Sequence, residues 1–243
     1  MGHQRYDSQL HPRRRNAGTS MKKALLSWLI TILTPVVLIL TFVRILLSPA
    51  FPPIEYALPG FPADTYGFTQ PDRLRWSRYA IDYLLNNAGP EYLADLRFND
   101  GTPVFNEREV SHMRDVKTVV VRILPIFYLA LAALAILAFW AWYGGWKISF
   151  LIGLGRGGWL TAGLIAFLGA LAATSFWQFF SAFHALFFSG DSWLFLYSDT
   201  LIRLFPIRFW QDTIFAIFGG AALSGIGLGL AARFWLVRVN DGV

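Results

Sequence analysis

Residues Val119–Tyr143 read VVVRILPIFYLALAALAILAFWAWY, and Arg122 is the one charge among them. A hydrocarbon core ~30 Å thick takes about 20 apolar residues of helix to cross, so the run is long enough. Lipid offers no partners to backbone N–H and C=O groups, which forces such a run to be helical. Three further stretches share the pattern: Ala24–Leu47, Gly158–Phe183 and Thr213–Leu236. Arg44, Arg122 and Arg233 interrupt the four near their ends, where long stems reach the headgroups. The chain therefore reads as an all-α integral membrane protein with four transmembrane helices.

Composition excludes the other classes. Of 243 residues, 55% are hydrophobic and 15% charged, against about 25% charged in ordinary globular domains. Too few charges remain to coat a soluble enzyme. The net charge of +6 could suggest nucleic acid, but six of the 21 Lys and Arg precede residue 24 and the rest flank apolar runs. That is a topology signal, with no nucleic-acid partner implied. Zero Cys removes disulfides, thiolate metal sites and cysteine acyl-enzymes. Ser48-Pro49-Ala50 looks like a cleavage site, yet the apolar stretch before it is about 20 residues, longer than the 7–15 of a signal peptide. The first run is thus expected to stay as an anchor.

Orientation comes from counting. Residues 1–23, 144–157 and 233–243 hold ten Lys/Arg against two acids, while 48–117 and 184–212 hold nine against thirteen. Cytoplasmic segments carry the basic excess, so both termini are expected in the cytoplasm. Trp28, Trp140, Trp142, Trp146, Trp159 and Trp235 fall at that inner interface. The expected division is a basic cytoplasmic tail 1–23, spans 24–47, 119–143, 158–183 and 213–236, a mainly helical extracytoplasmic cap 48–118, a cytoplasmic loop 144–157, a second outer loop 184–212 and a cytoplasmic tail 237–243. In the fourth span, Gly220-xxx-Ser224 and Gly225-xxx-Gly229 have the spacing of close helix packing. Pro35 and Pro125 are expected to kink their helices.

The cap opens with Ser48-Pro-Ala-Phe-Pro-Pro53, expected to be non-helical. Arg75–Ala88 then has helical apolar spacing, and Asn99-Asp-Gly-Thr-Pro103 is turn chemistry. Next comes Phe105-Asn-Glu-Arg-Glu-Val-Ser-His-Met-Arg-Asp-Val-Lys117. Asn106 and Glu109 have capping-box spacing, and Phe105 with Val110 can form a hydrophobic staple. A helix thus starts near Glu107 and runs into the second span, standing His112 ~9 Å above Thr118. His184 lies within a residue or two of the outer edge of the third span, at the same interface and similar depth. His3 and His11 belong to the tail.

Three chemistries compete for this pair. A metal site could draw on His112, His184, Glu109 and Asp191, with Glu109-xx-His112 as half of a di-iron pattern. A serine acyl-enzyme could use Ser181, Ser111 or Ser192, although no Gly-x-Ser-x-Gly elbow is present. Acid–base catalysis on a lipid ester, with the substrate supplying the nucleophile, suits the depth of the histidines. A different class of reading is a non-catalytic sensor or assembly protein whose cap binds a partner.

The order of Gly60-Phe61, Tyr66-Gly67-Phe68, Phe105-Asn106-x-Arg108-Glu109-x-x-His112-Met113-x-Asp115-Val116-Lys117, Phe183-His184, Asp191-x-Trp193 and Phe205-Pro206 resembles the bacterial lipoprotein intramolecular transacylase family, Lit. The resemblance covers about residues 24–236; the tail 1–23 is an addition. It implies four transmembrane helices under an extracytoplasmic cap, in a bacterial cytoplasmic membrane. The implied reaction moves the sn-2 acyl chain of a diacylglyceryl-cysteine lipoprotein onto its α-amino group, so the partners are diacylglyceryl-modified lipoproteins and membrane lipid. The family's two catalytic histidines fall on His112 and His184, with no cofactor and no metal. An α-amine with a pKa of about 7.7–8.0 must lose a proton before attack, a task suited to His. His112 is expected to be the base, oriented by Glu109 or Asp115 on its own helix. Arg114, Arg203 and Tyr66 are candidate oxyanion donors, and Asp191 is a supporting residue.

Overall fold

The computed structural model describes the backbone over residues 12–240 and side chains over residues 20–238; most of the tail 1–23, with His3 and His11, and the last residues of the tail 237–243 lie outside the described residues. In chain order the helices are α1 (Pro12–Leu46), α2 (Phe51–Tyr56), α3 (Gln70–Leu85), α4 (Glu91–Ala94), α5 (Glu107–Tyr143), α6 (Lys147–Thr174), α7 (Phe176–Phe187), α8 (Thr200–Leu204) and α9 (Ile207–Asn240). Four of these are long and apolar enough to cross a membrane, over Ser20–Leu46, Glu107–Tyr143, Lys147–Thr174 and Ile207–Arg238. The fold class expected from the sequence is the one observed.

The four long helices pack as a bundle centred on α6, which lies against both α9 and α1. Glycine makes that closeness possible. A Cβ on Gly225 would stand 2.6 Å from the Gly158 carbonyl oxygen, so the α6 and α9 backbones touch there. The small-residue spacing of the fourth span is therefore a packing device. Thr31 and Thr34, buried inside the bundle, return their hydroxyls to the carbonyls of Ser27 and Ile30. Pro35 and Pro125 both sit inside continuous helices.

The cap has a core of its own. Trp76, Tyr83, Leu84 and Leu93 pack with Val104, Phe105 and Met113, and Leu201 and Leu204 close it from α8. Each large apolar side chain buried here contributes about 1.5–3 kcal/mol. Phe105 and Met113 flank the start of α5, so this core clamps the cap onto the helix that carries His112.

Five local expectations are corrected. The Pro-rich stretch is not free of helix: α2 starts at Phe51 with prolines in its first turn, where a missing N–H costs nothing. The helix expected at Arg75 begins at Gln70 instead, because Thr69 and Asp72 form a reciprocal capping box. The loop expected over 144–157 shrinks to Gly144–Trp146, since Gly145 at φ +71° turns the chain sharply and Lys147 already begins α6. The helix expected over 158–183 breaks at Ser175. Ser175 is extended and caps Gln178 N, so α7 departs as a separate helix. The last helix correspondingly begins at Ile207 rather than Thr213.

Candidate active site

The site is built where α5, α7 and the segment 188–195 meet. Asn106 caps α5 as its spacing predicted: its side chain accepts Glu109 N at 3.0 Å, and Glu109 returns a carboxylate oxygen to Asn106 N at 2.8 Å. Two further ties fix this helix start. Glu109 accepts Leu201 N at 2.6 Å, and Asn106 Nδ2 donates to Asp199 at 3.1 Å. One turn later, His112 turns inward at 8% exposure. On α7, the Ser175 cap sets the helix phase that brings His184 inward at 9% exposure.

The two imidazoles face each other with centroids 6.3 Å apart and planes within 22°. Aromatic rings enclose them. Phe188 lies 5.0 Å from His112 and 5.7 Å from His184. Phe195 stands edge-on to His112 at 5.3 Å, Phe180 lies 4.2 Å from His184, and Trp193 stacks on His184 at 4.6 Å. The cleft is walled by aromatic rings, with two titratable rings at its centre.

The electrostatics separate the two histidines. His184 Nδ1 lies 2.8 Å from the Phe180 carbonyl oxygen. A carbonyl only accepts, so Nδ1 carries the proton and donates it there, which leaves the Nε2 lone pair of the neutral ring free. Burial holds the His184 imidazole below its ordinary value of 6.5, with the Phe180 contact offsetting part of that shift. The ring is therefore neutral at pH 7. His112 Nδ1 is buried without a hydrogen-bond partner among the described residues.

The supporting residues are distributed differently from expectation. Glu109 does not orient His112: both its oxygens are taken by backbone N–H groups. Asp115 lies on the exposed side of α5, 3.9 Å from Arg114 Nε, and Arg114 also donates to Ser111 Oγ. Arg203 is held by the buried Asp64 at 3.0 Å and by the Tyr66 carbonyl at 3.1 Å. Burial would raise the Asp64 carboxyl, but Arg203 and the Phe68 N–H more than offset it and hold it below the usual range. Tyr66 lines a recess on that side of the cap with Arg73 and Arg203. Arg114 and Arg203 are thus engaged by partners other than the histidines. Asp191 pairs with Arg108 at 3.3 Å, tying the segment that carries Trp193 and Phe195 to the first turn of α5. Among the described residues, no three His, Asp or Glu side chains gather as a metal site would require.

Sequence reasoning missed the aromatic enclosure of Phe180, Phe188 and Phe195. Nothing in their spacing marks them among 22 phenylalanines. The break that frees α7 did carry a signal: Ser175-x-x-Gln178 is a capping-box pattern inside an apolar run.

Comparison with known proteins gives the family and the fold. The family described as "Lipoprotein intramolecular transacylase Lit" matches residues 26–210. An uncharacterized protein of Aquifex aeolicus (strain VF5) is 34% identical over 192 residues, 78% of this chain and 85% of that one. The solved structure of the membrane integral lipoprotein intramolecular transacylase Lit from Bacillus cereus superposes with a TM-score of 0.75 at 19% identity, covering 92% of this chain and all of that one. A variant of that protein with one histidine replaced by arginine gives a TM-score of 0.72 at 18% identity, over 95% and 99% of the two chains.

Proposed function

Because the chain belongs to the lipoprotein intramolecular transacylase family of integral membrane acyltransferases, we propose that it moves the sn-2 acyl chain of a diacylglyceryl-cysteine lipoprotein onto that lipoprotein's own α-amino group, with His112 and His184 as the reacting pair. The observation that carries this reading is the facing pair of imidazoles, 6.3 Å apart in an aromatic cleft, one of them with a fixed tautomer. The free lone pair favours His184 as the base, in place of His112. The substrate nitrogen attacks the sn-2 ester carbonyl and its proton passes to His184 Nε2. His112, neutral, donates a ring N–H to the oxyanion. As the tetrahedral intermediate collapses, the C–O bond to the glyceryl sn-2 oxygen breaks and that oxygen takes the proton from His184. The amide carries the chain, the glyceryl group keeps a free hydroxyl, and the acyl count is unchanged.

Nucleophile and ester belong to one molecule, so binding a bent conformer supplies much of the rate. Burial among aromatic rings lowers the local dielectric, which strengthens each polar contact made there. Stacking of Trp193 on His184 favours the imidazolium formed at the transition state. The orientation that suits this chemistry places the cap outside the cytoplasm and both termini inside it. In this cysteine-free chain, single cysteines at Asp95 and Ser149 test it. An impermeant thiol reagent should label position 95 and spare position 149 in intact cells; the reverse would overturn the orientation.

The function is tested by mass spectrometry of a diacylglyceryl lipopeptide incubated with the purified protein. The expected product has one O-linked and one N-linked chain at unchanged mass. Transfer to water or to a second lipid, or an acylated serine on the protein, would overturn the reading.

A further inference from the structure

A second built site lies at the other end of the bundle from the histidines. From His112 to Tyr143 α5 runs 31 residues, roughly 45 Å at 1.5 Å per residue. There the chain reverses through Gly144 and Gly145 and enters α6. Trp146 is the N-cap of that 28-residue helix and supplies no side-chain acceptor. The backbone N–H groups of Lys147, Ile148 and Ser149 therefore point out of the first turn with no partner among the described residues. Unpaired amides at a helix N-terminus amount to about half a positive charge.

Three independent features surround those amides. A cavity of about 510 Å³ opens beside them, walled by Lys23, Trp142, Gly145, Trp146 and residues 147–149. Two of the lining residues are exposed lysines, Lys23 from α1 and Lys147 from α6, and neither has a carboxylate partner among the described residues. Trp146 is 5% exposed, wedged edge-on against Trp140 and Phe150, and its indole N–H is buried without a partner. A buried donor left unpaired costs about 1–3 kcal/mol, which an acceptor in the cavity would recover. No carboxylate lines the space, and its two charged residues are both cations.

We propose that this cavity binds the phosphate group of an anionic phospholipid. The amides at the start of α6, the Trp146 N–H and the Lys23 and Lys147 ammoniums receive the phosphate oxygens. The source is a lipid headgroup rather than free phosphate, because the cavity sits where α1, α5 and α6 end and Trp142 stands exposed in the manner of an interfacial belt. The lipid would bridge α1 to the α5–α6 turn, through contacts separate from the histidine cleft.

Native mass spectrometry of the detergent-purified protein, titrated with phosphatidylglycerol, phosphatidylcholine or inorganic phosphate, tests this. The wild type should hold one phosphatidylglycerol in preference to phosphatidylcholine. The Lys23→Gln/Lys147→Gln double variant should bind it about tenfold or more weakly. Trp146→Phe keeps the ring packing, so its severalfold loss would report the N–H alone, and Lys147→Arg should restore binding. Transacylation of a lipopeptide in detergent should be unchanged in all of these, which separates the lipid site from the proposed chemistry. Equal lipid retention by the wild type and the double variant would overturn the proposal. So would displacement of the lipid by millimolar inorganic phosphate with no preference for the lipid form.

Discussion

Glu109 accepts the backbone N–H of Leu201 at 2.6 Å, across 92 residues of sequence, while its other oxygen caps α5 at Asn106. One carboxylate, 1% exposed, thus holds the helix of His112 and the start of α8 together. Glu109→Gln should leave one of the two buried N–H groups facing an amide donor. The expected cost is about 1–3 kcal/mol, read as a lower Tm in detergent. Asn106→Ala should cost about 0.5–2 kcal/mol through the cap, and it also removes the hydrogen bond to Asp199. The folded fraction of either variant should keep the wild-type pH profile; a rate loss at unchanged Tm would restore Glu109 as a catalytic group.

His112→Gln and His184→Gln should each lower kcat by roughly 10²–10⁴-fold. The double variant should be little slower than either single one, because a coupled pair fails as a unit. Ser111→Ala, Ser181→Ala and Ser192→Ala should keep most of the activity, measured as conversion of a diacylglyceryl lipopeptide. Strictly additive losses in the double variant would mean that the histidines act on separate steps.

Trp193 stacks on His184 with centroids 4.6 Å apart and planes inclined by 29°. A cation over an aromatic face is worth about 0.5–2 kcal/mol. Trp193→Leu should therefore reduce kcat by about 2- to 30-fold with less effect on KM. Trp193→Phe should fall between the two. A change in KM alone would show that Trp193 contacts substrate without stabilising the imidazolium.

Burial, followed by the neighbouring Asp212, raises the Glu55 carboxyl from 4.5 to about 7, with Arg208 opposing. The folded state therefore holds a proton that the unfolded chain has released between those two values. Stability attributable to Glu55 falls as pH rises from 4.5 to 7 and stays low above it. Glu55→Gln should thus raise Tm by several degrees at pH 8 and leave it unchanged near pH 4. His184 acts in the opposite sense. Its pKa is held below 6.5, so its contribution is present above 6.5 and fades as the pH falls through the folded value. A Glu55→Gln difference that grew toward acid pH would refute the assignment.

Much of this protein is written locally. Four apolar runs of more than 20 residues leave a chain in lipid no alternative to helix, and the Asn106-x-x-Glu109 box places the start of α5 within one turn. What the sequence left open depends on contacts between segments remote in sequence. Glu109 is legible as a cap, but its bond to Leu201 exists only once α8 packs on α5. Arg203 reads as a candidate oxyanion donor until Asp64 folds against it. The facing of His112 and His184, and the proton on His184 Nδ1, await the break at Ser175 and the angle at which α7 leaves it. Periodicity and capping act within a helical turn and can be read from spacing. Side-chain pairing across helices turns on distances of a few ångströms, and only packing sets them.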